Sequence, residues 1–322
     1  MTSTKIIVSQ PVMDSTRPCD AEYRKRACRV SNMSRQGWKG LLLRHCITLF
    51  CLSLLFAPPA QAAQCGGDFR VFIGAISGEA IKAGLPPATV ARAFAGVSPD
   101  RAVLAFDRRQ QSVFNKSFDT YAAIAVTRRR IERGRRLLRK NAALLARIER
   151  EFGVPAPLIV AIWGLETNYG TEDLGALHVI RTLATLAHDC RRTELFQSEL
   201  LAALHILQRG DLSLPDLIGG SAGEMGQTQF LPSSYLKYGV DYDKDGHVNL
   251  RRSVPDVLAS TANFLKANGW QAGASFGEGT TNFEVMRTWN HALLYRKAIV
   301  LLAERISEPE KNRRGRAGHF SR

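Results

Sequence analysis

A mainly α-helical fold, with a little strand confined to connections, is what this sequence predicts. Apolar residues recur at three- and four-residue spacing in segment after segment between residues 68 and 306. Gly and Pro punctuate those segments, and no internal repeat or Pro/Ser linker divides the span, so one domain of residues 63–308 is expected, open to division into two lobes.

Residues 1–62 are expected to be a leader. The run 41–56 is apolar apart from Arg44 and His45, follows Lys39, and ends in Ala57-Pro58-Pro59-Ala60-Gln61-Ala62, the pattern of a secretory signal cut after Ala62. Its apolar core, 46–56, is short for a bilayer span. The alternatives are an uncleaved anchor and a lipoprotein, the latter disfavoured by Gln64 before Cys65. Met33, followed by Arg35 and Lys39, begins a signal of ordinary length and is the expected start. Four of the six cysteines fall in this leader. The remaining two, Cys65 and Cys190, read as one disulfide in an exported chain, with two buried thiols as the alternative.

Nine of the 44 basic and three of the 29 acidic residues lie in the leader, so the exported part stays basic. Much of the excess sits in 128–140, read as a solvated helix face, and in the tail 309–322, read as disordered. A basic exported protein can meet anionic lipid or an anionic wall polymer, and export makes nucleic acid the least suitable partner.

In chain order, 68–82 and 88–94 read as amphipathic helices. The segment 101–106 is open between a short strand and an edge segment, 117–140 resumes helical character and 141–152 continues it. The stretch 152–170, FGVPAPLIVAIWGLETNYG, has Pro155 and Pro157 suited to a first helical turn, an apolar body and Gly170 as the stop. Helices at 176–188 and 193–209, a Gly-rich loop at 219–230, a short helix at 233–238 and helices at 256–268 and 283–306 complete the chain.

Glu166 ends the apolar run. Apolar walls and the negative end of a helix dipole both penalise a carboxylate, so a raised pKa and general-acid chemistry are expected of it; a surface Glu after a core helix is the alternative. Gly219, Gly220, Gly223 and Gly226 let the loop backbone approach something closely, while Gln227, Thr228 and Gln229 offer the neutral donors and acceptors a sugar cleft uses. A Gly-Lys-[Ser/Thr] ending is missing, which disfavours phosphate cradling. Asp241, Asp243, Asp245, Gly246 and His247 follow the first half of a calcium loop, but Arg252 stands where the closing Glu belongs, so a longer loop closing on Asp256 is needed. The alternative is an Asx-rich turn. Trp289, Asn290 and Tyr295 offer a stacking platform and an amide, with core packing the competing reading for the Trp. Glu172, Asp173 and Glu224 are expected to be solvated loop charges.

Together, 162–170 (IWGLETNYG), 221–235 (SAGEMGQTQFLPSSY), 240–250, 260–270 (STANFLKANGW) and Trp289-Asn290 resemble the B-type family of lytic murein transglycosylases. The resemblance covers most of residues 65–306. It implies a mainly α (α+β lysozyme-like) fold, Glu166 as catalytic acid, and Gln229 and Asn290 lining a saccharide cleft with Arg191 near it. It also places at that cleft Ser221, beside Gly220 where some members have Ser, together with Trp289 and Phe264, the latter where some have Tyr. The calcium loop is a family feature. The expected protein is a periplasmic monomer that acts on peptidoglycan glycan strands, has no catalytic cofactor and holds a structural calcium. One catalytic carboxylate is enough for that reaction, whereas ordinary glycoside hydrolysis uses two. A muramidase-type hydrolase, which would leave reducing ends, and a non-catalytic peptidoglycan-binding protein, for which Glu166 would be dispensable, are the alternatives.

Overall fold

The computed structural model describes residues 63–109 and 117–308; the expected leader and basic tail lie outside them. Helices α1 (Phe69–Lys82), α2 (Pro87–Phe94), α3 (Arg101–Arg109), α4 (Phe118–Ala125), α5 (Arg128–Lys140), α6 (Ala142–Phe152) and α7 (Ala156–Thr167) lead to the short strand β1 (Leu177–His178). Then come α8 (Val179–His188), α9 (Thr193–Arg209), β2 (Ile218–Gly219), α10 (Pro232–Tyr238), α11 (Val254–Ala267), α12 (Thr281–Trp289) and α13 (Leu293–Ser307). β1 and β2 pair antiparallel, Leu177 opposite Gly219 and His178 opposite Ile218.

Local chemistry sets several starts. Asp68, Ser117 and Thr127 each accept amides of the following turn and cap α1, α4 and α5, at about 1 kcal/mol per cap. The segment left open at 101–106 is helix. Asp100 accepts the amides of Ala102 and Val103 and so starts α3. Only Val103 of α3 is buried; Asp107 pairs with Arg191 and Arg192, and Arg108 with Asp189. Charge rather than an apolar stripe positions α3, which is why periodicity did not reveal it.

α7 is the central helix. Leu158, Ile159, Val160, Ala161 and Ile162 are fully buried and Trp163 nearly so, because α13, α5, α11 and α6 pack around it. Burying each large apolar side chain contributes about 2 kcal/mol. The first amide of α7, Ala156, donates to Glu149 Oε2 at 3.1 Å, placing negative charge at the positive end of the helix. The helix stops at Asn168, not Gly170: Asn168, Tyr169 and Gly170 have φ of 46°, 62° and 72°. Gly170 is required for a different reason, since a Cβ there would lie 2.2 Å from Gln227 Oε1.

Cys65 and Cys190 are joined by a disulfide with Cα atoms 5.2 Å apart, across a sequence separation of 125. The bond fastens the segment before α1 to the turn between α8 and α9.

Candidate active site

Three helices converge on Glu166. It lies in the last turn of α7, half-buried, and its Oε1 accepts the indole N–H of Trp289 at 2.9 Å and the hydroxyl of Tyr295. Trp289 ends α12 and Tyr295 lies in the first turn of α13. Burial first, and the charge of Glu166 second, raise the Tyr295 hydroxyl well above its ordinary pKa; the same two causes push Tyr121, on α4, up to about 12. Both phenols are therefore neutral at pH 7. With Oε1 committed as an acceptor, a protonated Glu166 carries its proton on Oε2.

Trp289 and Phe264 are packed together. Each is 3% exposed. Their rings meet edge-on at 5.0 Å, Phe230 stands 5.3 Å from Trp289, and Tyr238 packs 4.7 Å from Phe264. Core packing claims most of both rings, and the indole spends its one donor on Glu166. Asn290 is also buried, and its Oδ1 accepts the Ala292 amide at 2.9 Å beside the start of α13.

The Gly-rich loop is bolted to α7. Gln227 Oε1 accepts the Trp163 indole N–H at 2.8 Å, its carbonyl accepts the Thr167 hydroxyl, and its Nε2 donates to the Arg251 carbonyl at 3.0 Å. Met225 and Phe230 exchange backbone hydrogen bonds of 2.7 and 2.8 Å, closing the loop on itself. Gly226 has φ +77° and faces the Leu250 carbonyl, 2.5 Å from where a Cβ would sit, so the close approach its glycine permits is to the protein's own backbone. Gln229 has φ 54° and donates to the Gly226 carbonyl at 2.8 Å, and Ser221 is half-buried in the turn before it. Glu224, expected to be a solvated charge, is 6% exposed and accepts the Ala222 amide at 2.7 Å. Arg191 lies at the disulfide corner, donating to Asp189 and to Asp107.

The acidic loop gathers oxygen ligands. One carboxylate oxygen each of Asp241, Asp243 and Asp256 lies within 4.8 Å of the others. Asp256 is fully buried at the start of α11, and its two oxygens accept the amides of Tyr242, Asp243 and Asn249. Asp241 accepts the amides of Asp245 and Gly246, and Asp245 that of His247. Arg252 turns away to pair with Asp216 at 2.8 Å. The donor set is all oxygen and carries several negative charges, which suits a hard cation.

A helical domain that presents one acid, clasped by an indole and a phenol beside a Gly-rich loop, with a two-residue ladder as its sheet, has a lysozyme-like fold. Residues 68–281 match the family model described as Transglycosylase SLT domain, and the chain belongs to that family. It is similar to SltB3 from Pseudomonas aeruginosa, solved in complex with NAG-NAM-pentapeptide: 33% identity, TM-score 0.71, over 76% of this chain and 81% of that one. Escherichia coli Slt35, solved in complex with calcium, is 25% identical with a TM-score of 0.65 over 78% of this chain and 98% of that one. The membrane-bound lytic murein transglycosylase B of E. coli K12 is 43% identical over 131 residues, 40% of this chain. That alignment spans 36% of the relative's length. Among the described residues no helix is long and apolar enough to cross a membrane.

Proposed function

We propose that the chain is a lytic murein transglycosylase with Glu166 as its single general acid and base. The observation that carries this reading is the clasp on Glu166 Oε1, where two neutral donors fix the carboxyl and direct its proton to Oε2. Membership of the transglycosylase SLT family and likeness to a relative solved with NAG-NAM-pentapeptide support it. In the proposed reaction Glu166 protonates the glycosidic oxygen of the β-1,4 bond between N-acetylmuramic acid and N-acetylglucosamine. The C1–O4 bond breaks, and the acetamido oxygen of the muramic acid stabilises the positive charge developing at C1. The Glu166 carboxylate then takes the proton of the same sugar's 6-hydroxyl as that oxygen bonds to C1. The products are a free N-acetylglucosamine 4-hydroxyl and a 1,6-anhydromuramyl end, and no water is consumed.

Ser221, Gln229, Asn290 and Arg191 are the proposed contacts to the saccharide, with the edges of Trp289 and Phe264 beside them. Asp241, Asp243 and Asp256, with Asp245 and the backbone carbonyl of His247 in the same loop, are the proposed holders of a structural calcium, supported by the all-oxygen set of the three aspartates and by the calcium complex of Slt35. The periplasm is the proposed location of this monomer, supported by the signal-like pattern of 41–62.

Mass spectrometry of the soluble products released from murein sacculi by residues 63–322, beside Glu166→Gln, tests the reading. Anhydromuramyl ends that are missing from the variant's digest are the expected result. Reducing ends would make the protein a hydrolase, and retained sacculus binding without products would make it a binding protein.

A further inference from the structure

We propose that the exposed face of α5 binds the carboxylates of the peptide stems carried by the glycan substrate; this rests on the reading of the chain as a murein-cleaving enzyme. α5 contains seven Arg and one Lys against the single acid Glu132, which pairs with Arg128 at 2.7 Å. Arg129, Arg133, Arg136 and Lys140 follow one another at spacings of four, three and four, so they share one face, about 16 Å long. Arg129, Arg136 and Lys140 are exposed, and among the described residues none of them has an ion-pair partner.

This arrangement opposes the helix's own preferences. Neighbours one turn apart on the face repel each other, and the first turn holds Arg128, Arg129 and Arg130 and no acid, although the positive end of a helix favours acids. A row of like charges that weakens its own helix acquires a purpose when a polyanion lies along it. The planar guanidinium fork matches carboxylate and phosphate alike in two parallel hydrogen bonds, and carboxylates are what a murein peptide offers.

Two further observations distinguish the cleaved polymer from a membrane. First, the apolar residues of α5, Ile131, Leu137 and Leu138, pack against the core, so the helix has no apolar face to bury among acyl chains. Second, α5 adjoins the catalytic helix. Arg133 Nη1 donates at 2.8 Å to Thr171, five residues beyond Glu166, and the Tyr121 phenol feels both Glu166 and Arg130. On this proposal the peptides of a strand held at Glu166 reach the helix next to the one that carries the acid.

The test uses residues 63–322 bearing Glu166→Gln, so that the polymer stays intact, in equilibrium binding to bead-tethered glycan strands that either keep their native peptides or have been stripped of them by an amidase. The parent is expected to bind the peptide-bearing material about tenfold more tightly, with a preference that fades in salt, and Arg129→Glu/Arg136→Glu/Lys140→Glu is expected to lose it. Arg70→Glu/Lys82→Glu/Arg92→Glu, with the same charge change on the exposed sides of α1 and α2, is expected to keep it. Circular dichroism confirms that each variant is folded. Equal binding of native and stripped strands by the parent, equal loss in both triple variants, or native binding retained by the α5 variant overturns the proposal. Binding to anionic phospholipid vesicles but to neither glycan also overturns it and assigns the face to a membrane. Soluble sugar released by the Glu166→Gln parent overturns the catalytic reading instead, and is seen in the same tubes.

Discussion

The indole N–H of Trp163 donates to Gln227 Oε1 at 2.8 Å, wholly inside the protein, one turn before Glu166. A single amide thereby fixes the distance between the helix that carries the acid and the loop that faces it. Gln227→Met keeps the volume and leaves the indole without an acceptor, at a cost of about 1–3 kcal/mol. The expected result is a lower denaturation midpoint at unchanged m-value, measured in urea.

Trp289→Phe and Tyr295→Phe each keep a ring in place and remove one donor from Glu166 Oε1. Each is expected to lower kcat about ten- to a hundredfold with little change in KM, because the lost bond orients the acid and does not touch the sugar. Initial rates of anhydromuropeptide release measure this. A KM rise at constant kcat would return these residues to substrate binding.

Glu199 provides a pH test remote from the chemistry. Burial raises its pKa above the ordinary 4.5, against the opposing effect of hydrogen bonds from the Ser233 hydroxyl and amide. The folded state holds this proton more tightly than the unfolded chain, so the contribution favours folding at low pH and is lost as pH rises through the folded value. Glu199→Gln can still accept the Ser233 amide and donate to its hydroxyl, yet never ionises. The variant's Tm advantage over the parent is expected to be smallest near pH 4.5 and to grow toward pH 7.

Calcium is expected to raise Tm and a chelator to reverse the rise. At a hundredfold excess over Kd the gain is about 2.7 kcal/mol. Asp243→Asn should weaken the response, since Asp243 adds a carboxylate to the cluster while Asp256 holds the loop's amides. A Tm indifferent to calcium would leave the cluster as a turn stapled by its own hydrogen bonds.

The parts of this site that were legible in the sequence are the parts written in contiguous residues. Glu166 stood out as the one carboxylate closing an apolar run, and the acidic loop by its alternating spacing. What joins them was not legible. Trp163 meets Gln227 across 64 positions, and Trp289 and Tyr295 meet Glu166 across 123 and 129. Periodicity marks an aromatic residue as apolar but not the direction in which its one polar atom points. Tyr121 carried no separate mark, since a tyrosine on a buried stripe reads as core. Glu224 was misread because a charged residue among glycines looks exposed until the backbone that folds over it is known.

The disulfide between Cys65 and Cys190 also bears on when the domain becomes rigid. Such a bond closes only where thiols are oxidised. In a reducing compartment the segment before α1 would stay untied from the turn between α8 and α9. An oxidising compartment, such as the periplasm proposed for this chain, then ties the two together, so the closed bond would mark a molecule that has already been exported.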